Sequence, residues 1–428
     1  MLRNKVLIVL LFIIILVLGI FSFGYTAEKP KINILYMKHW VPSADELIKA
    51  RAEEWGAQNG VEIQVDFIVE KDFDLKLVNA IENKYGPDIA TFRVASAMLY
   101  QDALLDVTDI AEDIIKERGE FFPANKAAAY TGSKWIGIPF YTGIPAMMYR
   151  KDLFEAAGQK IPETFDELAE VAKVLNQPDK GIYGLGEAYS RTRDGINFVQ
   201  VVIWAFGGKL CSEDGTKVMF NSPETLEALK YMVELYNSGV MPPGVTGWDD
   251  SANNKAWGAG QLAITSNAPS IYYQLKTQDP DMAAKTLHGA WPAGPAGEAA
   301  VTDNYSLAIL NYTKYPDLAK DLLRYLTSDE GLTQFYTAGQ GFQNPTIKKY
   351  LDLPVYQDPA LKPIYAALEA GRSPGWPGPL TQAASEVEHQ YIITDMVSRV
   401  IVDKLTPEES LQEATNRIEA IYAKWRDN

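Results

Sequence analysis

The side chains in this sequence best suited to chemistry are flat rings and planar polar groups placed at strand ends and in turns. The chain holds nine Trp and 23 Tyr in 428 residues. Aromatic rings cover the apolar C–H faces of a ring-shaped solute, and planar polar side chains pair with its hydroxyls. Trp40, with His39 beside it, follows the strand-like run Ile32–Met37, and Arg93 follows the strand-like run Asp88–Phe92. In open α/β sheets, ligands gather outside the carboxyl ends of strands. Trp248, Trp291 and Trp376 sit in Gly- and Pro-rich stretches at 241–250, 291–298 and 371–380. Burial is less expected there, and an exposed tryptophan without a partner costs solubility. Asp250 and Arg372 flank two of them as hydroxyl partners. Asp303 stands between a Gly/Pro loop and the strand-like run Tyr305–Leu310, and Ser266 follows the run Leu262–Thr265. Trp204 lies in an apolar helical stretch. The competing reading of each ring is plain packing.

Bond-breaking chemistry has little support. A glycosidase needs two carboxylates facing each other across a sugar. Asp249-Asp250 is the only tempting pair, and adjacent residues usually point in different directions. No G-x-S-x-G, H-E-x-x-H or phosphate loop occurs. His39, His288 and His389 lack metal-ligand spacing, and Tyr272-Tyr273 has no His near it for iron. The expectation is a binding protein, not an enzyme, with no cofactor and no metal. A single cysteine, Cys211, excludes a disulfide framework.

The elements that must position these residues alternate. The run Ile32–Met37, the alternating Val61, Ile63, Val65 and Phe67, and Asp88–Phe92 read as strands. Amphipathic segments separate them, including Phe73–Lys84. That order predicts an α/β domain with a largely parallel sheet. Helix starts are marked by a hydroxyl followed by acids: Thr164-Phe-Asp-Glu167, Ser222-Pro-Glu224 and Thr406-Pro-Glu-Glu409. Ahead of all this, Arg3 and Lys5 precede Val6–Phe23, which carries no charge. It reads as an export signal or a retained membrane anchor within residues 1–27. No Cys follows it for lipid attachment. The net charge of −15 argues against nucleic acid, which needs a basic face.

Four stretches resemble a known family, the extracellular solute-binding proteins of family 1, which serve ABC sugar importers. They are Tyr85-Gly-Pro-Asp-Ile89 with Leu104–Asp109; Trp135–Tyr141 with Met148–Phe154, Ala157-Gly158 and Pro162–Leu168; Ala256–Ile264; and Asn311–Gly331. The second is similar to the family's "Y-N-K-D-L-F-x-x-A-G … P-x-T-W-D-E-L" and is the most specific. Tyr149-Arg150, Trp257 and Gln261 depart from the family's usual residues. The resemblance implies a two-lobed, hinged periplasmic-binding-protein fold (type II-like), each lobe discontinuous. Residues 28–140 plus 290–345 would form one lobe and 141–289 plus 346–428 the other. It implies a carbohydrate in the cleft between them, with Tyr141 near the crossing, and the number of candidate tryptophans favours a guest larger than one ring. It also implies a permease partner, a monomer, and a place in the periplasm or on the cell surface. The alternative is a polyamine, peptide or other solute.

Overall fold

The computed structural model describes residues 29–426, Trp40 excepted. The segment 1–27 and the expected contact of Trp40 lie outside the described residues.

The alternation read from the sequence becomes a sheet. Strands β1 (Lys31–Met37), β2 (Glu62–Ile68) and β3 (Ile89–Arg93) run parallel, and the helices Pro42–Asn59 and Glu70–Asn83 join them. The capped starts also form. Thr164, Ser222 and Thr406 each accept a hydrogen bond from the backbone N–H three residues on. β1 carries a nearly continuous buried run from Ile34 to Met37, as a strand covered on both faces must.

Strand β4 (Ile138–Gly143) ends the first passage, and β5 (Ala146–Arg150) begins a second sheet two residues later. β5 lies between β6 (Ile264–Asn267) and β7 (Thr286–Gly289), antiparallel to both. The chain then returns through β8 (Ala300–Val301) to β9 (Asp303–Ile309), which inserts antiparallel between β3 and β4. The first sheet therefore reads β2-β1-β3-β9-β4 and draws strands from two distant parts of the chain. A last short strand, β10 (Gly371–Arg372), pairs with β8. Ile347, Tyr350 and Tyr356, expected with the second lobe, pack into the first sheet's core with Ile32, Trp55 and Phe335. The reason is aromatic: Tyr336 meets both Tyr350 and Tyr356 edge-on.

The crossing between the sheets is knotted by polar groups. Thr142 and Asn344 exchange two backbone hydrogen bonds of 2.9 Å each. The buried Thr142 hydroxyl is within 3.1 Å of the Asp303 carbonyl and 3.2 Å of Asn304 Oδ1, which also accepts from Asn125. Thr142→Val would remove the hydroxyl's hydrogen bond and should cost about 1 kcal/mol of stability. Urea unfolding of the two proteins checks this, and unchanged stability would show that the knot contributes nothing.

The helix Arg193–Phe206 runs through the centre of the second lobe and is buried on almost every side. That is the pattern of a core helix. Its first turn, however, opens with Arg-Asp and brings charge to the meeting of the sheets.

Candidate functional site between the two sheets

The carboxyl end of β3 meets the first turn of the helix Arg193–Phe206 across a small cavity. Asp74, Arg93, Val94 and Ala95 line it from the first sheet's side. Arg193, Glu388, His389 and Tyr391 line it from the other. Its volume is ≈ 40 Å³, far below the roughly 300–1,000 Å³ of small-molecule sites. A solute larger than water enters only if the two sides part.

Each charged group has a defined place. Arg93 ends β3 and pairs with Glu70 and with Asp74 Oδ2 (3.2 Å), both on the helix that follows β2. Burial works against the Arg93 charge, but the two carboxylates outweigh it and hold the guanidinium pKa well above its usual value. Arg193 is buried and makes three contacts. Its Nε donates to Asp303 (2.7 Å), and its terminal nitrogens donate to Glu388 (2.5 Å) and Asn197 (2.6 Å). Gln200 donates to the second oxygen of Glu388. The next residue, Asp194, donates its backbone N–H to Asp250 (3.0 Å) and takes the amides of Asn253 (2.9 Å) and Asn267 (3.2 Å) on its carboxylate. Burial raises both acids, with the charge of Glu70 adding to the rise at Asp250. Asp194 lies well above the carboxylate range, and Asp250 is pushed up to about 6.

Two residues lining the cavity, Val94 (φ 46°) and Tyr391 (φ 53°), hold left-handed backbone. That conformation is costly for a β-branched residue, and such strain gathers at sites of function.

Behind this layer lies a second. The ring of His39 joins Asp45 (2.8 Å) to the Tyr141 hydroxyl (2.5 Å), and Tyr141 stacks on Tyr305 at 4.2 Å. Both tyrosines titrate above their usual range, chiefly through burial. On the second sheet Ser266 donates from its N–H and hydroxyl to Glu187, whose carboxyl burial pushes up to about 8.

Of the residues singled out in the sequence, Arg93 lines the cavity, Asp303 adjoins it through Arg193, and Asp250 lies one step further, on the Asp194 N–H. His39 and Tyr141 stand behind them. Ser266 adjoins through Asn253, which bonds both the Ser266 carbonyl and Asp194. The tryptophans do not converge there. Trp204 is a core side chain of the second lobe. Trp291 is 5% exposed, and its indole N–H donates to the Pro145 carbonyl (2.9 Å) at the crossing. Trp376 is covered by Arg372, whose guanidinium lies 3.9 Å over the ring while donating to the carbonyls of Trp204 and Glu298. Trp248 borders a separate hollow of ≈ 600 Å³ with Tyr183, Lys255 and Gln261, all from the second lobe. Turn composition misled here: each ring found an acceptor, a cation or a hollow of its own instead of the cavity.

Glu70, Asp74, Arg193, Asp194, Glu388 and Tyr391 were not foreseen. One sequence signal did exist. Arg193 lies in the first turn of a helix, at the positive end of its dipole, where a cation is disfavoured. An arginine there, followed by an apolar run, needs acids from elsewhere.

The family model for bacterial extracellular solute-binding proteins matches residues 41–333, well over half of the chain. The chain belongs to this family. A probable ABC transporter-binding protein of Deinococcus radiodurans is 26% identical over 76% of this solute-binding protein and 79% of the relative. A mannitol-binding protein of Pseudomonas aeruginosa is 33% identical over 44% of this chain and 46% of its own. Among solved structures, a Thermotoga lettingae solute-binding protein bound with α-D-tagatose superposes with a TM-score of 0.78 at 22% identity, covering 92% of this chain and all of that one. T. maritima MalE3 with maltose gives 0.74 at 24% identity over 91% and 99%. The fold is thus the two-lobed α/β fold of the periplasmic solute-binding proteins.

Proposed function

We propose that this protein is the extracytoplasmic capture subunit of an ABC importer, closing its two lobes over a carbohydrate and passing it intact to a permease. The observation that carries the reading is the cavity itself. Both lobes supply its walls, and both supply planar charged groups, Arg93 with Glu70 from one and Arg193 with Glu388 from the other. A guest that pairs with both sides favours the closed state. Tagatose, maltose and mannitol in relatives and neighbours support a polyhydroxylated guest. Calorimetry with a panel of sugars and sugar alcohols tests it; heat of binding with none of them would overturn the carbohydrate reading. Release of product from chromogenic glycosides would overturn the assignment to capture alone.

One observation favours a second reading. Four carboxylates (Glu70, Asp74, Asp303 and Glu388) pair with the two arginines of the cavity, and Asp194 and Asp250 lie next to them. That excess suits a polyamine, and spermidine in the same calorimetry separates the two.

Asp250 makes the reading pH-sensitive. Its carboxylate accepts ligand hydroxyls, and protonation below about 6 removes that acceptor. Affinity should therefore fall as pH drops from 7.5 to 5, by about tenfold for one charge-assisted hydrogen bond. Asp250→Asn should bind about tenfold more weakly at neutral pH and lose most of the pH dependence. A variant with an unchanged pH profile would remove Asp250 from the site.

A further inference from the structure

The strands of the first sheet have two ends, and only one faces the cavity. β1, β2 and β3 run parallel, so Lys31 and Glu62 lie together at the far end, with β3 starting three residues along at Ile89 opposite Ile34. β9 runs the other way and delivers Tyr312 and Lys314 to that same end. A seven-residue strand spans roughly 20 Å, which sets this pole well apart from Arg93 and Asp303. A shallow basin there is lined by Lys29, Lys31, Lys84, Tyr85, Tyr312 and Lys314. It continues along β1 to Lys76 and Asp66.

The charge of this basin runs against that of the chain, which is −15 overall. Lys31 is paired with Glu62 (2.9 Å) and Lys76 with Asp66 (3.3 Å). Lys29, Lys84 and Lys314 are exposed and make no ion pair with the described residues. The acid inside the basin, Asp88, is buried and already accepts from the Asn33 N–H (2.8 Å) and the Thr313 hydroxyl (2.6 Å). Tyr85 is 82% exposed, a large aromatic standing among the lysines. Lysine stems and tyrosine rings together suit the boundary between water and lipid headgroups.

The run read as an export signal or a retained membrane anchor adjoins this pole. Val6–Phe23 is an uncharged, largely apolar run of 18 residues, close to the length that spans a bilayer. Five residues, Gly24–Glu28, separate it from Lys29. Five residues reach at most roughly 18 Å, so a chain held by that run keeps the basin near the headgroups. We propose that this pole is a docking face for an anionic lipid surface. Lys29, Lys84 and Lys314 meet the phosphates, and Tyr85 enters the interface. The face is independent of what the cavity binds.

The test uses the full chain reconstituted in vesicles of phosphatidylcholine, with or without phosphatidylglycerol. Lysines are acetylated with a water-soluble reagent and read by mass spectrometry, with exposed Lys209 of the second lobe as reference. Lys29, Lys84 and Lys314 should each be modified about fivefold less when the anionic lipid is present, and high salt should abolish the difference. Lys84→Glu combined with Lys314→Glu, both at exposed positions, should remove the protection of Lys29. Equal modification in the two lipids overturns the proposal. So does protection that is the same without the anionic lipid or persists in high salt, because tethering alone explains it. Protection found only in native membrane fragments would assign the face to a protein partner and overturn it as well.

Discussion

Replacing Arg193 by methionine should destabilise the protein by about 3–5 kcal/mol at neutral pH, the usual cost of removing one partner from a buried ion pair. The side chains of Arg193, Asp303 and Glu388 are 10%, 10% and 4% exposed. With the guanidinium gone, two carboxylates remain out of water with only the amides of Asn197 and Gln200 beside them. They must then either stay charged in a poor medium or take up protons. The loss should therefore shrink as pH falls, because protonation relieves the uncompensated charge. Arg193→Met with Asp303→Asn and Glu388→Gln should recover most of the stability, since a buried charged cluster can be replaced by neutral groups at little net cost. Ligand affinity should not return in that triple variant, which separates the structural part of the cluster from its part in capture. Denaturant unfolding across pH measures the first and calorimetry the second. Wild-type stability in the single variant would mean that the three groups are not shielded from water as found.

This cluster also shows what a sequence can and cannot reveal. The three opening strands were legible to within a residue or two, because their apolar periods are local properties. The same holds for the hydroxyl caps at Thr164, Ser222 and Thr406, whose partners lie three residues away. Arg93 was singled out as a strand end and Asp303 as the residue between a Gly/Pro loop and a strand, and the structure sets Arg93 on the cavity wall and Asp303 against Arg193. Glu388 was not legible, because it reaches Arg193 across 195 residues from a helix whose sequence shows no special pattern. The tryptophans failed in the opposite direction. Gly and Pro around Trp291 and Trp376 announce a turn, but a turn can still be covered. The carbonyl of Pro145 and the guanidinium of Arg372 are tertiary partners that turn composition does not encode. The start of the second lobe's last segment was misplaced for the same kind of reason: Tyr350 and Tyr356 follow Tyr336 into the first core.

Glu187→Gln should strongly change the pH dependence of stability. Glu187 is 1% exposed, and burial pushes its carboxyl from 4.5 to about 8 against the pull of two hydrogen bonds from Ser266. Between pH 4.5 and 8 the unfolded chain has released this proton while the folded protein keeps it. The stability linked to the group is thus full below 4.5 and is lost as pH rises through 8. At about 1.4 kcal/mol per unit, the window is worth on the order of 5 kcal/mol. Glutamine keeps the geometry: its oxygen accepts the Ser266 N–H, and its amide donates to the Ser266 hydroxyl, which rotates to accept. The variant should match the wild type within about 1 kcal/mol at low pH and exceed it by a few kcal/mol at high pH. Asp194 and Asp250 titrate upward as well, so the difference between the two proteins, measured by urea unfolding at each pH, is the quantity that isolates Glu187. Parallel curves would mean that Glu187 ionises freely in the folded protein. A converging pair at low pH would instead mean that β6, whose end places Asn267 against Asp194, is secured by a neutral carboxyl rather than by a charge.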